Sequence, residues 1–260
     1  MRIGRQDNAV TSICTSDAQS ITVRGLDLCE AVIGQWDFTS YFWLLVTGKA
    51  PSETQRFFAD ATLCAIAEHG LVPSVAAARM TLAAGPEAWQ GAVAAGLLGC
   101  GSVVLGSAEA AGRFLAQLIA QADAQGLGDD AVARDAVKAL RAVKKPVPGF
   151  GHPQHAGGDP RAHRLLDLAR AKGVAGRHVA MLDAVHAALP EALGRALPIN
   201  VNGAIPAVML DVGFPLAALK GIALLARTAS LIGHLQEESE RPIGFIMAGA
   251  AADGIDFAES

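Results

Sequence analysis

The stretch KKPVPGFGHPQHAGGDPRAH, residues 144–163, interrupts an otherwise helical sequence and is the most informative part of the chain. Its first part, Lys144–Gly158, contains two lysines, three prolines and four glycines. Prolines and glycines at this density predict a loop, and loops between regular elements often carry functional residues. The glycines on both sides of Phe150 allow the backbone to come close to a ligand.

The polar residues of this loop indicate an anion site. Arg161 follows Asp159-Pro160, a pair typical of a helix start, so its guanidinium and the amides of the first turn can face one anion. A histidine beside such a site can serve as acid or base. Two alternatives stay open, a surface turn with solvated histidines and a metal site, although the spacing is not that of a helical histidine pair. The candidate metal ligands are His152, His155, Asp159 and His163.

Helical signals on both sides of the loop predict an all-α fold. Asp37 and Gly48 are typical of the two ends of one helix, and Ser52 with Gln55 forms a capping box at the next. Strand patterns occur only near residues 12–15 and 20–23, and they predict a short hairpin. Further helices are predicted over residues 73–84, 87–98, 107–124, 129–145, 160–172, 177–188, 203–212 and 215–232.

Composition and charge narrow the class of protein. The 260 residues are 52% hydrophobic and 18% charged, which indicates a folded chain. The net charge is −4 and lysine and arginine do not cluster beyond residues 144–145, so no nucleic-acid partner is expected. Residues 1–7 lack the apolar core of a signal peptide, and the glycines within the uncharged stretch 88–108 argue against a membrane span.

Cysteine usage fits a cytoplasmic location. The spacing of the four cysteines contains no Cys-x-x-Cys pair, so neither a zinc site nor a redox dithiol is expected. Each is predicted to be a buried, reduced thiol. These residues are Cys14, Cys29, Cys64 and Cys100.

Several blocks of the chain resemble the citrate synthase superfamily. The segment Gly149–His152 followed by Asp159–Ala162 is similar to the Gly-aromatic-Gly-His and Asp-Pro-Arg signature of that family, and other blocks agree in order and spacing. The length and the Asn-Val-x-Gly sequence are more similar to citryl-CoA lyases, namely the lyase module of ATP-citrate lyase and the free-standing lyases. The other blocks are Arg24-Gly25, Phe38–Pro51, His69–Ser74, Gly101–Ala111 with Glu109 in register, Asn200–Gly203, Ala226–His234 and Glu240–Pro242.

The resemblance implies a fold and an assembly. The expected fold has a large helical domain, residues 1–103 and 213–260, with a smaller helical domain inserted at residues 104–212 and the active cleft between them. A homodimer is expected, in which Arg241 completes the site of the other subunit. No cofactor is implied, because the coenzyme A thioester is itself a substrate.

The resemblance also assigns roles to individual residues. A citrate- or oxaloacetate-type polycarboxylate would be bound by His69, Arg161, Arg227 and Arg241, and planar guanidinium groups suit carboxylates. His152 would exchange the proton of the C3 oxygen. Coenzyme A phosphates would meet Lys144 and Lys145 beside Gly149.

Two positions depart from the synthase pattern, and both belong to the thioester half of the reaction. Val104 stands where synthases have a histidine that hydrogen-bonds the enol, and ATP-citrate lyase also lacks that histidine. Asn202 stands where synthases and lyases have the aspartate that exchanges the proton of the acetyl methyl group. Three explanations stay open for Asn202: a different reaction, binding without turnover, or an engineered variant of an active lyase.

The sequence therefore predicts an enzyme that makes or breaks the carbon–carbon bond between an acetyl-CoA enolate and oxaloacetate, weakened by Asn202. The main alternative is a non-catalytic homologue that binds a polycarboxylate or coenzyme A. A metal-dependent hydrolase built on the three histidines is a third, weaker hypothesis.

Overall fold

The computed structural model describes residues 9–101, 105–151 and 157–258, and helices dominate throughout, which confirms the all-α prediction. Contacts along the chain separate two compact units, the first ending at Asp60 and the second beginning at Ala61. The helices are α1 (Phe38–Thr47), α2 (Glu53–Ala67), α3 (Pro73–Ala84), α4 (Trp89–Leu98), α5 (Ser107–Gln125), α6 (Asp129–Ala142), α7 (Pro160–Ala171), α8 (Arg177–Leu193), α9 (Val201–Asp211), α10 (Leu219–Glu240) and α11 (Gly244–Asp253).

The first unit contains a small antiparallel sheet, as predicted for this end of the chain. Strands β1 (Cys14–Ser16) and β2 (Ile21–Val23) pair with Cys14 opposite Val23, and a third strand, β3 (Leu26–Asp27), continues the sheet beside β2. A π-helical turn, Leu28–Val32, follows, and the side chain of Asp27 caps it by accepting hydrogen bonds from the Cys29 and Glu30 amides.

Local capping signals fix both ends of α1 and the start of α2. The Asp37 carboxylate accepts the Ser40 amide at 2.8 Å, and Gly48 ends α1 with the left-handed φ of 75° that glycine tolerates. The capping box at α2 is reciprocal: Ser52 Oγ accepts the Gln55 amide at 3.2 Å, and Gln55 Oε1 accepts the Ser52 amide at 2.9 Å. These predictions are confirmed.

Two sets of packed helices make up the second unit. Helix α3 contacts α4, α10 and α11, and α4 also contacts α10; Leu82, Leu231 and Leu235 are buried among α3, α4 and α10. Helices α5 to α9 form the other set, around Leu115, Met181 and Val208. The predicted domain limits at residues 104 and 212 stay a prediction.

A buried ion pair joins three helices of the first set. Arg79 of α3 is 3% exposed and donates from Nε to Glu238 Oε2 of α10 at 2.6 Å. Glu238 is also 3% exposed. Its other oxygen, Oε1, accepts hydrogen bonds from the amides of Ile243 and Gly244 at 2.9 and 2.7 Å and so caps α11. This pairing explains why α10 continues to Glu240 although the sequence predicted an end near residue 232.

One helical stretch, Leu216–Glu240, is long and apolar enough to cross a membrane by length and composition alone. Core helices of globular proteins pass the same test, and this stretch contains the buried, ion-paired Glu238.

The predicted burial of the cysteines is wrong in three cases: Cys14, Cys29 and Cys64 are exposed, and Cys100 is buried. The first two lie on or near the small sheet and Cys64 lies on α2, where their neighbours leave the thiols accessible.

Candidate active site

The glycine-rich loop is fastened to the start of α9 by backbone pairing. Phe150 forms a bridge with Ile199, the Gly151 amide donates to the Pro198 carbonyl at 2.8 Å, and the Asn200 amide donates to the Gly149 carbonyl at 3.0 Å. The Asn200 side chain adds a bond from Nδ2 to the Gly151 carbonyl at 2.7 Å while its oxygen caps α9. The residue that precedes His152 is therefore held in place from both sides.

The loop and α9 approach so closely that only glycine fits on either side. A Cβ atom on Gly203 would lie 2.5 Å from the Gly149 carbonyl oxygen and 3.0 Å from its Cα. Gly149 is itself buried, with a φ of +87°. It was predicted to contact coenzyme A; what the structure shows is backbone contact with Gly203, and the coenzyme contact stays a prediction.

Replacing Gly203 with alanine is expected to lower the free energy of unfolding by about 1–3 kcal/mol, because the added methyl group meets rigid backbone atoms. Urea unfolding would measure this loss. Gly221→Ala is the matched control, since Gly221 also lies in a helix and a Cβ atom there has no neighbour within 4 Å. The control is expected to gain up to about 1 kcal/mol from helix propensity. Equal stability of Gly203→Ala and the parent would contradict the close contact.

Asp159 links the first turns of α7 and α9. It is fully buried, it accepts the Arg161 amide at 3.1 Å as the cap of α7, and its Oδ2 accepts the Val201 amide at 2.8 Å. The Arg161 guanidinium completes the arrangement with two bonds of 3.0 Å, from Nε and Nη2. Burial alone would raise the pKa of this carboxyl, but the bonds from Arg161 and Val201 hold it below its usual range.

Arg161 is therefore partly neutralised before any ligand binds. Its side chain is 20% exposed, and two of its three nitrogens are engaged by Asp159. It lies on the wall of an open groove of about 420 Å³ between α2 and α7. The other lining residues are mostly apolar: Ala61, Cys64, Ala65, Pro160, Arg164, Leu165 and Leu168.

Asn202 occupies the second position of α9, one residue after the amide that Asp159 binds. Its Oδ1 is buried and has no hydrogen-bond partner within the described part of the chain. A buried amide oxygen without a donor is unfavourable by about 1–3 kcal/mol. An amide also cannot take up or release a proton as a carboxylate does.

Arg227, which was predicted to bind a carboxylate of the substrate, lies in a polar cluster that the sequence did not reveal. Arg227 is 3% exposed, its Nη1 is 3.5 Å from Ser230 Oγ, and its Nε is without a partner among the described residues. Ser230 Oγ in turn donates to Glu68 Oε2 at 2.5 Å. Burial lowers the pKa of the Arg227 guanidinium, and the charge of Glu68 opposes that shift.

His69 follows Glu68 directly, in the loop between α2 and α3. The other oxygen of Glu68, Oε1, accepts the amides of His69 and Gly70 at 2.9 and 2.5 Å. The structure therefore brings the His69 loop and the Arg227 helix together through one carboxylate. The sequence placed the end of α2 near His69; the helix ends at Ala67, since Glu68 turns back to bind the following amides.

The remaining predicted ligands lie at helix ends. Arg241 is exposed directly after α10, and its carbonyl accepts a bond of 3.3 Å from Arg79. Lys144 and Lys145 are exposed just after α6, with Lys144 in a left-handed conformation at φ 53°. The described structure shows no contact between these three side chains and the two clusters above, so their ligand roles stay predictions.

Other predictions fall on residues outside the described ranges, namely those for His152, His155 and Val104. The metal hypothesis therefore rests on Asp159 and His163 within the described part. There, no group of three or more histidine, cysteine or acidic side chains is placed to hold a metal ion. Asp159 is occupied by Arg161 and Val201, and His163 is exposed.

The comparisons with known proteins agree with the architecture. Residues 56–244 match the family model described as citrate synthase, C-terminal domain. A search of curated protein sequences gives no match. Among solved structures, citryl-CoA lyase from Hydrogenobacter thermophilus superposes with a TM-score of 0.84 and 29% identity, covering 97% of this chain and 95% of that one.

Two more distant structures share the fold. ATP citrate lyase from Methanothrix soehngenii, in complex with citrate and coenzyme A, superposes with a TM-score of 0.77 at 21% identity over 99% of this chain, which spans 43% of that protein. Citrate synthase from Thermotoga maritima gives a TM-score of 0.65 at 18% identity over 78% of this chain and 54% of that one. The predicted citrate synthase fold is confirmed.

Proposed function

This chain belongs to the citrate synthase family, and from that premise we propose that it cleaves citryl-CoA into acetyl-CoA and oxaloacetate, or forms the same bond in reverse. The observation that carries the proposal is the match to a citryl-CoA lyase along almost the entire length of both chains. The ATP citrate lyase above is more than twice as long as this chain, so its whole activity is not carried over to this chain.

The citryl group would be bound through its carboxylates. Arg227 offers a buried guanidinium whose Nε has no partner among the described residues, and Nε could donate a charge-assisted bond to a ligand carboxylate. Arg161 would bind a second carboxylate with the nitrogen that Asp159 leaves available. His69 would donate to the same ligand from the loop that Glu68 holds.

The chemistry would begin at the C3 hydroxyl group. His152 removes the hydroxyl proton, the oxygen forms the carbonyl of oxaloacetate, and the electron pair of the broken carbon–carbon bond passes to the thioester as an enolate. Protonation of the enolate carbon then gives acetyl-CoA. Asn202 can donate a hydrogen bond to that enolate from Nδ2 but cannot supply the proton, so water would supply it at a lower rate.

The second candidate is a binding protein without turnover, and Asn202 is the observation that favours it. Both candidate functions use the same residues to bind the carboxylates of the ligand. They differ in the product: only the enzyme releases oxaloacetate from citryl-CoA.

A homodimer is part of the proposal. Arg241 is exposed at the end of α10, where a neighbouring subunit can use it. Exposed apolar side chains suit a subunit interface, and Leu98 of α4 with Phe245 and Ile246 of α11 are 86%, 71% and 68% exposed. We further propose that coenzyme A phosphates bind Lys144 and Lys145, both exposed, and that the protein acts in the cytoplasm.

The test is an assay of oxaloacetate release from citryl-CoA, with binding of citrate measured by calorimetry on the same sample. Slow release that scales with protein concentration supports the lyase. Binding without release supports the non-catalytic alternative. The absence of both binding and release would refute both candidates.

Replacing Arg161 with alanine is expected to weaken citrate binding at least tenfold, a loss of about 1.4 kcal/mol, because a charge-assisted bond to a carboxylate is removed. Arg164→Ala is the matched control, as Arg164 lies on the same groove one turn further along α7. Arg161→Lys keeps a cation beside Asp159 and separates lost binding from lost folding. Unchanged affinity in folded Arg161→Ala would show that the anion site is assigned wrongly.

A further inference from the structure

Glu68 occupies a central place in the Arg227 cluster although no role is assigned to it. It bonds to two parts of the chain at once: Oε1 accepts the amides of His69 and Gly70, and Oε2 accepts Ser230 Oγ at 2.5 Å and His234 Nε2 at 2.9 Å. Ser230 and His234 are 162 and 166 residues away in sequence. One carboxylate thus ties the α2–α3 loop to α10.

The bonds of Glu68 favour its charged form. Burial would raise the pKa of this carboxyl, but the bonds from Ser230, the Gly70 amide and His234 hold it below its ordinary value. The side chain is still 48% exposed, so solvent screens its charge and a small ligand can approach it. Because the group is an anion beside a site for anions, electrostatics alone would weaken ligand binding.

The partners of His234 assign the position of its proton. Arg79 Nη1 lies 3.5 Å from Nδ1, and Arg79 can only donate. Nδ1 is therefore the acceptor of the ring and Nε2–H donates to Glu68 in the neutral imidazole. Arg79 is held by Glu237 and Glu238 at 2.7 and 2.6 Å, so the orientation of the imidazole depends on the buried ion pair.

We propose that Glu68 is a positioning residue of the substrate site: its carboxylate holds the His69 loop against Ser230 and His234, so that His69 and Arg227 meet the same ligand. The inference rests on the proposed function, since it assumes that the ligand is a citrate-type polycarboxylate. Glu68 does not bind the ligand itself, because two anions repel. Its effect is to fix the loop, at some cost in electrostatic repulsion.

The sign of one measurement separates positioning from electrostatics. If Glu68 acts only through its charge, Glu68→Gln and Glu68→Ala bind citrate more tightly than the parent, since a repulsive charge is gone. If it positions the site, both bind more weakly. We expect the dissociation constant for citrate to rise about tenfold in Glu68→Ala, with Glu68→Gln between it and the parent because one acceptor remains.

The matched control is Glu240→Ala, which removes an exposed carboxylate of α10 whose partner is Gln236. It is expected to leave the dissociation constant unchanged. Ser230→Ala provides the second arm: the Glu68→Ala and Ser230→Ala effects should be less than additive, because each breaks the same link. Citrate affinity that is unchanged or improved in folded Glu68→Ala would overturn the proposal.

A readout without ligand distinguishes this inference from the proposed function. Amide hydrogen exchange at His69 and Gly70 should be faster in Glu68→Ala than in the parent and in Glu240→Ala. Unchanged exchange would overturn the positioning role, whatever the protein binds. If exchange is faster in Glu68→Ala but the parent protein does not bind citrate, Glu68 still fixes the loop. The missing citrate binding then refutes the proposed function and the assignment of citrate to this site.

Discussion

Replacing Asn202 with aspartate is expected to raise the rate of citryl-CoA cleavage at least tenfold, because a positioned acid or base contributes about 10²–10⁴ to proton transfer. Asn202 is the second residue of α9, and the oxygen of its side-chain amide, Oδ1, is buried without a donor in the described structure. Aspartate has nearly the same shape, so it gains the capacity to exchange a proton without displacing its neighbours. The measurement is the initial rate of oxaloacetate release at saturating citryl-CoA.

Asn200→Asp is the control for this change, since it makes the same substitution two residues earlier. Aspartate still caps α9, but it loses the bond from Nδ2 to the Gly151 carbonyl. That variant should be no faster than the parent. If Asn202→Asp and the parent release oxaloacetate at equal rates, position 202 does not carry the proton, and a different reaction or a pure binding role is favoured.

Removing one partner of the buried ion pair is expected to have the largest effect on stability. Glu238→Ala should lower the free energy of unfolding by about 3–5 kcal/mol, because Arg79 is left charged and buried without its buried partner. The substitution also releases the two amides at the start of α11. Urea unfolding at neutral pH measures the loss.

Glu237→Ala is the matched control, as Glu237 binds the same guanidinium at 2.7 Å but has a side chain that is 52% exposed. An exposed partner contributes less than about 1 kcal/mol. A Glu238→Ala variant as stable as Glu237→Ala would show that water reaches the pair. Replacing Arg79 and Glu238 together with apolar residues should restore much of the loss, since no buried charge then remains unpaired.

The sequence predicted best where the decisive contacts are local. The ends of α1 and the start of α2 depend on residues within three or four positions, so Asp37, Gly48 and the Ser52–Gln55 box were sufficient. The end of α10 was predicted eight residues too early because its last turns are held by Arg79, which is more than 150 positions away. Helix α8 continues to Leu193 beyond the predicted end at residue 188, with Pro190 in its last turn.

The site follows the same rule. Motif spacing indicated Arg161 and Arg227 as candidates, but their partners are set by the fold. Asp159 was interpreted as a cap and proved also to bind Val201 across 42 positions. Nothing local distinguishes Glu68 from other glutamates near a helix end. Its role depends on Ser230 and His234, which only the tertiary structure places beside it.

The Asp159 carboxylate, which links α7 to α9, separates the binding of a carboxylate by Arg161 from the chemistry at position 202. Asp159 anchors Arg161 and the Val201 amide from the protein interior, so the spacing between the guanidinium and position 202 does not depend on which side chain stands at 202. Under the proposed function, variation at position 202 can therefore change the group that exchanges the proton, while Asp159 still holds the Arg161 guanidinium in place to bind the carboxylate partner.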